Sequence, residues 1–188
     1  QGRRFDEEDL LAASDLGRRA AVALDNAYLY ADRDRVARTL QESLLPPALP
    51  EIEGLSLAAV YRAGSQNHGI GGDFYDVFPT GPGTWLVAIG DVCGKGVEAA
   101  ALTGTVRYAV RTAAVLSSSP AGILRGVNEA LVQEAWQERF ATLLLAELTL
   151  TDDGVQARIA SGGHPPAILR RADGSVEWVD AAGPLLGV

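Results

Sequence analysis

Methionine is absent from the sequence, and cysteine occurs once, as Cys93. A single thiol excludes an internal disulfide and any cysteine-rich zinc site, and it fits a reducing compartment such as the cytosol. No apolar run approaches the roughly 18 residues that a membrane span requires, so a soluble, cytoplasmic protein is expected. Positive charge is in deficit: 16 Lys and Arg against 24 Asp and Glu leave a formal net charge of -8. That balance repels a phosphate backbone, and nucleic acid is not an expected partner. A charged-then-apolar leader is missing as well, and the opening QGRRF without methionine reads as an excised segment of a longer protein.

The 188 residues, 47% of them hydrophobic, suffice for one full core plus a helical appendage, whereas two complete domains would be cramped. From Asp6 to about Leu45 there is no proline and no glycine except Gly17. The composition there predicts a long helix, with Asp6 as N-cap and Glu7, Glu8 and Asp9 placed favourably in the first turn. Leu16, Ala20, Ala23, Ala27 and Tyr30 form a stripe that shifts phase to Leu29, Val36, Leu40 and Leu44, as in a helical linker rather than a uniform zipper. Two readings of the stripe stay open: a helix packed on its own domain, or a linker that forms a homodimer. The run LLPPALPEIEG then breaks the helix and marks a domain boundary.

Beyond it the pattern predicts strands at 55–63, 74–78 and 84–90, the last two joined by a hairpin turn at TGPG. Helices are expected at 97–117 and 120–136, the second opening with Pro120. Strands resume at 140–150, 155–161, 167–171 and 176–180. Strand blocks flanking a helical pair indicate an α+β domain with sheet packed on helices.

Two aspartates stand out. Asp73 follows Gly71 and Gly72, and Asp91 follows Gly90 and precedes the glycine-spaced VCGKG. Glycine beside a carboxylate removes the Cβ that would block its approach to an ion. In the predicted hairpin the start of one strand lies beside the end of the other, so Asp73 and Asp91 should meet at one end of the sheet. Two carboxylates without a histidine or cysteine pair suit a hard cation, Mg²⁺ or Mn²⁺. An acid/base pair for glycoside hydrolysis and a plain Asp-turn pair are the alternatives, and spacing alone does not separate them. Asp76, at odd offset from Asp73, should face the other side of its strand. Arg107 and Arg111, four apart on a helix, are expected to be solvated. Cys93 lacks the C-x₅-R spacing of a thiolate phosphatase, since position 99 is alanine.

The stretches YRAGSQNHGIGGDFYDVF, WLVAIGDVCGKGVEAAAL, FATLLLAEL and SGGHPPAILRRADGSVEWVDAAGPLLGV resemble, in order and spacing, the SpoIIE/RsbU branch of the metal-dependent protein phosphatases, the PPM superfamily. The preceding helix is similar to the exit helix of a GAF-type sensor. The resemblance implies an αββα sandwich of the PPM type, occupying 46–188 without its C-terminal part, behind a linker at 1–45. It implies two Mn²⁺ or Mg²⁺ ions and metal-activated water as the nucleophile. The substrate it implies is a phosphoserine or phosphothreonine protein, an anti-sigma-factor antagonist. Carried onto this sequence, Asp91 is the bridging metal ligand, Val92 offers a backbone carbonyl, and Asp73 is the neighbouring acid. His68 and Lys95 are candidates for contacting the phosphate, against a solvated loop histidine and a plain glycine turn. His164, in GGHPP, is expected to order a turn.

The family also carries downstream aspartates in a DG-[VI]-x-E segment after GPLLGV, and the sequence stops at Val188. DDGVQA at 152–157 imitates that segment in the wrong order and is read as a hairpin. A chain without those ligands should bind metal weakly. A catalytically incomplete phosphatase fold acting in binding or signalling is therefore carried as the alternative function.

Overall fold

The computed structural model describes residues 6–61, 71–133 and 139–188. Helix α1 spans Glu7–Leu44, about 57 Å at 1.5 Å per residue. Its start is the expected one: the Asp6 carboxylate accepts from Asp9 N at 2.9 Å while Asp6 N donates to the Asp9 carboxylate at 3.1 Å, a reciprocal capping box. Its end is set by Leu45, in extended conformation, just before Pro46 and Pro47, because proline disfavours helix in the residue that precedes it. Leu10, Leu16, Leu24, Tyr28, Leu29 and Val36 stand exposed along it. For these side chains packing on the helix's own domain does not occur, although α1 touches α2 and Leu45 rests on the core.

The remaining elements are strands β1 (Phe74–Gly81) and β2 (Thr84–Val92), helices α2 (Val97–Leu116) and α3 (Pro120–Gln133), and strands β3 (Ala141–Thr151), β4 (Gly154–Gly162), β5 (Ala167–Arg170) and β6 (Val176–Val179). The first four strands form one antiparallel sheet in the order β1-β2-β3-β4, and β5 and β6 form a separate hairpin. The turns fall where glycine was expected, with Gly83 and Gly154 at positive φ. Part of the predicted second helix, residues 134–136, lies outside the described residues. The predicted strand at 55–63 is not found over 55–61: apart from a bridge between Ile52 and Leu55 the segment joins no ladder among the described residues, and Val60 is 83% exposed. An apolar pattern by itself does not make a strand where no ladder among the described residues takes the segment in.

Alternation along the strands divides the sheet into two faces. Phe74, Phe78, Leu86, Ala88, Val92, Leu143 and Leu145 point to one side and are buried with Val106 and Val110 of α2 and Ile123 and Val127 of α3. Each large apolar side chain removed from water in this way stabilises the fold by about 1.5–3 kcal/mol.

Asp76 lies on this same apolar face at 1% exposure. The structure overturns the solvated reading of Arg107 and Arg111, which both turn inward to it. Arg107 Nε donates to Asp76 Oδ2 at 2.8 Å, and Arg111 donates through Nε to Oδ2 at 2.7 Å and through an Nη to Oδ1 at 2.8 Å. Arg111 also lies 4.4 Å over the Phe78 ring. Helical spacing puts two residues four apart on one face, and the buried carboxylate opposite decides which way that face turns. Burial alone would push the Asp76 carboxyl up, but the bonds from Arg111 and Arg107 outweigh it and hold the carboxyl below its ordinary 3.8. The group therefore contributes stability that is full above that value and is lost as pH falls through the lowered one. Asp76→Ala should cost about 3–5 kcal/mol by urea unfolding, because it removes the carboxylate of a buried charge pair. Arg111→Ala should cost less, since the Asp76 carboxylate keeps its bond from Arg107 and the lost side chain was already 39% exposed.

Candidate metal-binding site

The antiparallel register brings Phe74 opposite Gly90. One step further, Asp73 and Asp91 are cross-strand neighbours on the face away from α2 and α3. The ladder is extended there by Val92 N, which donates to Gly72 O at 3.1 Å. Close approach explains both glycines. A Cβ on Gly72 would stand 2.0 Å from Val92 O, and one on Gly90 would stand 2.6 Å from Thr142 O and 2.8 Å from the Phe74 ring. Side chains at either position would wedge the two strand ends apart.

Both aspartates are exposed to solvent. Partial burial, and then the charge of Asp73, push the Asp91 carboxyl up from its ordinary value, with a backbone bond from Val92 opposing. Two like charges at one strand end repel, and a divalent cation between them would convert that repulsion into attraction. The donor set and the carbonyl-facing cradle kept open by Gly72 therefore fit a hard divalent ion. Among the described residues no group of three or more His, Cys, Asp or Glu converges as a complete metal site.

The structure adds His164 to this end of the sheet. Its Nδ1 lies 2.8 Å from Thr142 Oγ1, and the Thr142 hydroxyl donates to Asp91 O at 3.4 Å. The Thr142 hydroxyl thus lies between the imidazole and the Asp91 carbonyl, and the imidazole tautomer sets which of Nδ1 and Oγ1 donates. Burial holds the imidazole below its usual range while the Asp73 charge opposes. Turn ordering, expected of His164, falls instead to Ser161, whose Oγ donates to His164 O at 3.0 Å and accepts from His164 N at 3.1 Å. The glycines of SGG and GPLLG permit this by close packing: a Cβ on Gly162 would meet Leu186 at 2.8 Å, and one on Gly183 would meet Ser161 O at 1.9 Å. The sequence carried one signal of the role, a histidine just past two glycines.

Lys95 is exposed between Gly94 and Gly96, both at positive φ, in the loop that leaves Asp91 for α2. Val92 is fully buried, with its carbonyl against Gly72. His68 lies outside the described residues. Cys93 is half-buried and its N–H donates to Phe140 O at 2.9 Å.

A sequence profile of the family described as Stage II sporulation protein E (SpoIIE) matches residues 81–188, more than half of the chain. The chain belongs to the SpoIIE family. Among curated proteins it is similar to "Phosphoserine phosphatase RsbU" of Bacillus subtilis, 28% identical over 154 residues that cover 81% of this chain and 44% of the relative. It is also similar to "Protein IcfG" of Synechocystis sp., 25% identical over 178 residues, 80% of this chain and 27% of the relative. The chain thus spans less than half the length of either.

Among solved structures, the RsbU and RsbW domains of Rv1364c from Mycobacterium tuberculosis match with a TM-score of 0.55 at 28% identity. That match covers 65% of this chain and 34% of the other. The PP2C phosphatase domain of SpoIIE from Bacillus subtilis, with a fragment of its regulatory domain, matches with a TM-score of 0.53 at 22% identity. It covers 62% of this chain and 34% of the other, and it supports the fold alone. The α+β fold expected of the SpoIIE family is therefore the one found, with antiparallel sheet on paired helices.

Relief of carboxylate repulsion gives a direct test of the geometry. In metal-free protein at low salt, Asp91→Asn should raise the melting temperature by about 1–3 °C, the scale of an exposed charge pair in a chain of this size. A melting temperature below that of the unmodified protein would mean that Asp91 is held by a favourable partner instead.

Proposed function

We propose that this chain supplies residues of a metal-dependent serine/threonine protein phosphatase, with 46–188 as phosphatase domain and 1–45 as a helical linker from an upstream sensor. The observation that carries the reading is the pair of facing carboxylates, Asp73 and Asp91, at strand ends that Gly72 and Gly90 keep clear. Membership of the SpoIIE family, and a relative named phosphoserine phosphatase, supply the reaction class.

In this reading Asp73, Asp91 and the Val92 carbonyl hold two Mn²⁺ or Mg²⁺ ions, together with ligands beyond these three. The bound ions supply Lewis acidity that activates water and offsets charge on the phosphoryl oxygens. Asp91 keeps its orientation through the bond from Thr142, itself in contact with His164, at its carbonyl and through the β2 ladder behind it. Lys95, on an exposed loop beside Asp91, presents a positive charge to the substrate phosphate, and His68 is carried as a second phosphate contact. No cysteine nucleophile is required.

The proposed substrate is a phosphorylated anti-sigma-factor antagonist. A solved relative that joins RsbU and RsbW domains supports this class of partner. The exposed apolar side chains of α1 support a homodimer through the linker. No described helix is long and apolar enough to cross a membrane, and we place the protein in the cytoplasm.

A binding module of phosphatase fold without catalysis is the second reading, and the lack of a complete ligand cluster among the described residues favours it. Hydrolysis of a phosphoserine peptide and of an aryl phosphate, with and without Mn²⁺, separates the two. The phosphatase reading expects Mn²⁺-dependent turnover that Asp91→Ala lowers at least about 100-fold. Turnover that survives Asp91→Ala removes the proposed site, and phosphopeptide binding without turnover establishes the module.

A further inference from the structure

Gly72 O is a junction of three elements. It accepts from Val92 N at the end of β2 and from Thr103 Oγ1 of α2 at 3.2 Å. Thr103 is 3% exposed, and its hydroxyl lies 2.9 Å from Ala99 O one helical turn back. A hydroxyl has one hydrogen, so that hydrogen is shared between the helix and the glycine loop. Back-bonding to the preceding turn is common for threonine in helices, and Thr105 does only that, with Oγ1 3.3 Å from Ala101 O. What sets Thr103 apart is the second acceptor, 31 residues away in sequence and directly before Asp73.

Gly72 has no side chain through which packing could hold it, and a Cβ there would stand 2.0 Å from Val92 O. Its position is therefore set by bonds to its carbonyl. From this we infer that Thr103 is a positioning residue of the metal end: its hydroxyl docks α2 onto Gly72 and so fixes where Asp73 stands relative to Asp91 and the Val92 carbonyl. The inference rests on the metal-site reading above. Outer partners that orient ligands commonly govern 10–100-fold of metal affinity. Here the lower end is expected, because Val92 N still holds Gly72 when the hydroxyl is gone.

The test uses Thr103→Val, which keeps shape and β-branching but removes the donor, with Thr103→Ser to restore it and Thr105→Val as a control on the same helix. Mn²⁺ binding is followed by loss of the free-ion paramagnetic resonance signal, and amide hydrogen exchange is read at Val92 and Asp73. Expected are an affinity about 10-fold weaker and faster exchange at both amides in Thr103→Val, recovery in Thr103→Ser, and no change in Thr105→Val. Equal Mn²⁺ affinity in Thr103→Val and the unmodified protein overturns the positioning role and leaves the metal site standing. Equal loss in Thr105→Val overturns it too, since the effect would then be one of helix stability. Unmodified protein that binds no Mn²⁺ overturns both this role and the reading beneath it, while the exchange rates still report whether Thr103 holds the loop.

Discussion

Everything at the functional end of this molecule depends on how closely the backbone before β1 approaches the end of β2. The Val92 N–H bond to Gly72 and the lack of a Cβ at positions 72 and 90 let two chain segments meet at a distance that no other residue would allow. The juxtaposition of Asp73 and Asp91 follows from that approach. Their proximity is unfavourable by itself, and it persists because the ladder from Phe74 to Gly81 holds the strands in register whatever the charges prefer. Such repulsion held on a rigid sheet is what the proposed cation would relieve.

The same sheet shows what a carboxylate does when it is compensated. Asp76 lies three residues beyond Asp73, so alternation turns it to the opposite face. There it is buried between two arginines, and its carboxyl is held below the ordinary range, whereas the Asp91 carboxyl is pushed above it. The opposite directions follow from what each carboxylate meets: two guanidiniums at Asp76, partial burial and a like charge at Asp91. Asp76 fastens α2 to β1 through Arg107 and Arg111, and Thr103 touches the glycine loop one helical turn earlier. Helix α2 is thus bound to the strand that leads out of the site, by charge at one level and by a shared hydroxyl hydrogen at the next.

Legibility in the sequence followed the range of the interactions involved. The capped helix from Glu7, the β1–β2 hairpin and the α2 helix rest on local signals, namely a capping acid, paired turn glycines and 3.6-residue periodicity, and their bounds came close. The stretch at 55–61 carried as good a strand pattern and formed none, because pattern supplies a half-buried face but not a partner. Arg107 and Arg111 looked like a solvated pair because nothing within helical reach opposes them. Their carboxylate is 31 and 35 residues away. His164 was assigned to its turn because the glycines before it were visible, while Thr142, 22 residues upstream, was not.

By itself the sequence determined which residues could come close: glycine beside each aspartate, a hairpin between them, and an alternation that sends Asp73 and Asp76 to opposite faces. These follow from steric freedom and strand period, which are properties of a few consecutive residues. Only the tertiary structure decided what each group meets there. Asp76 is buried against two guanidiniums, His164 leans on the threonine behind Asp91, and Thr103 reaches Gly72, because long-range partners are chosen by packing helix against sheet. Charge and hydrogen-bonding capacity are written in the residue, but compensation belongs to its surroundings.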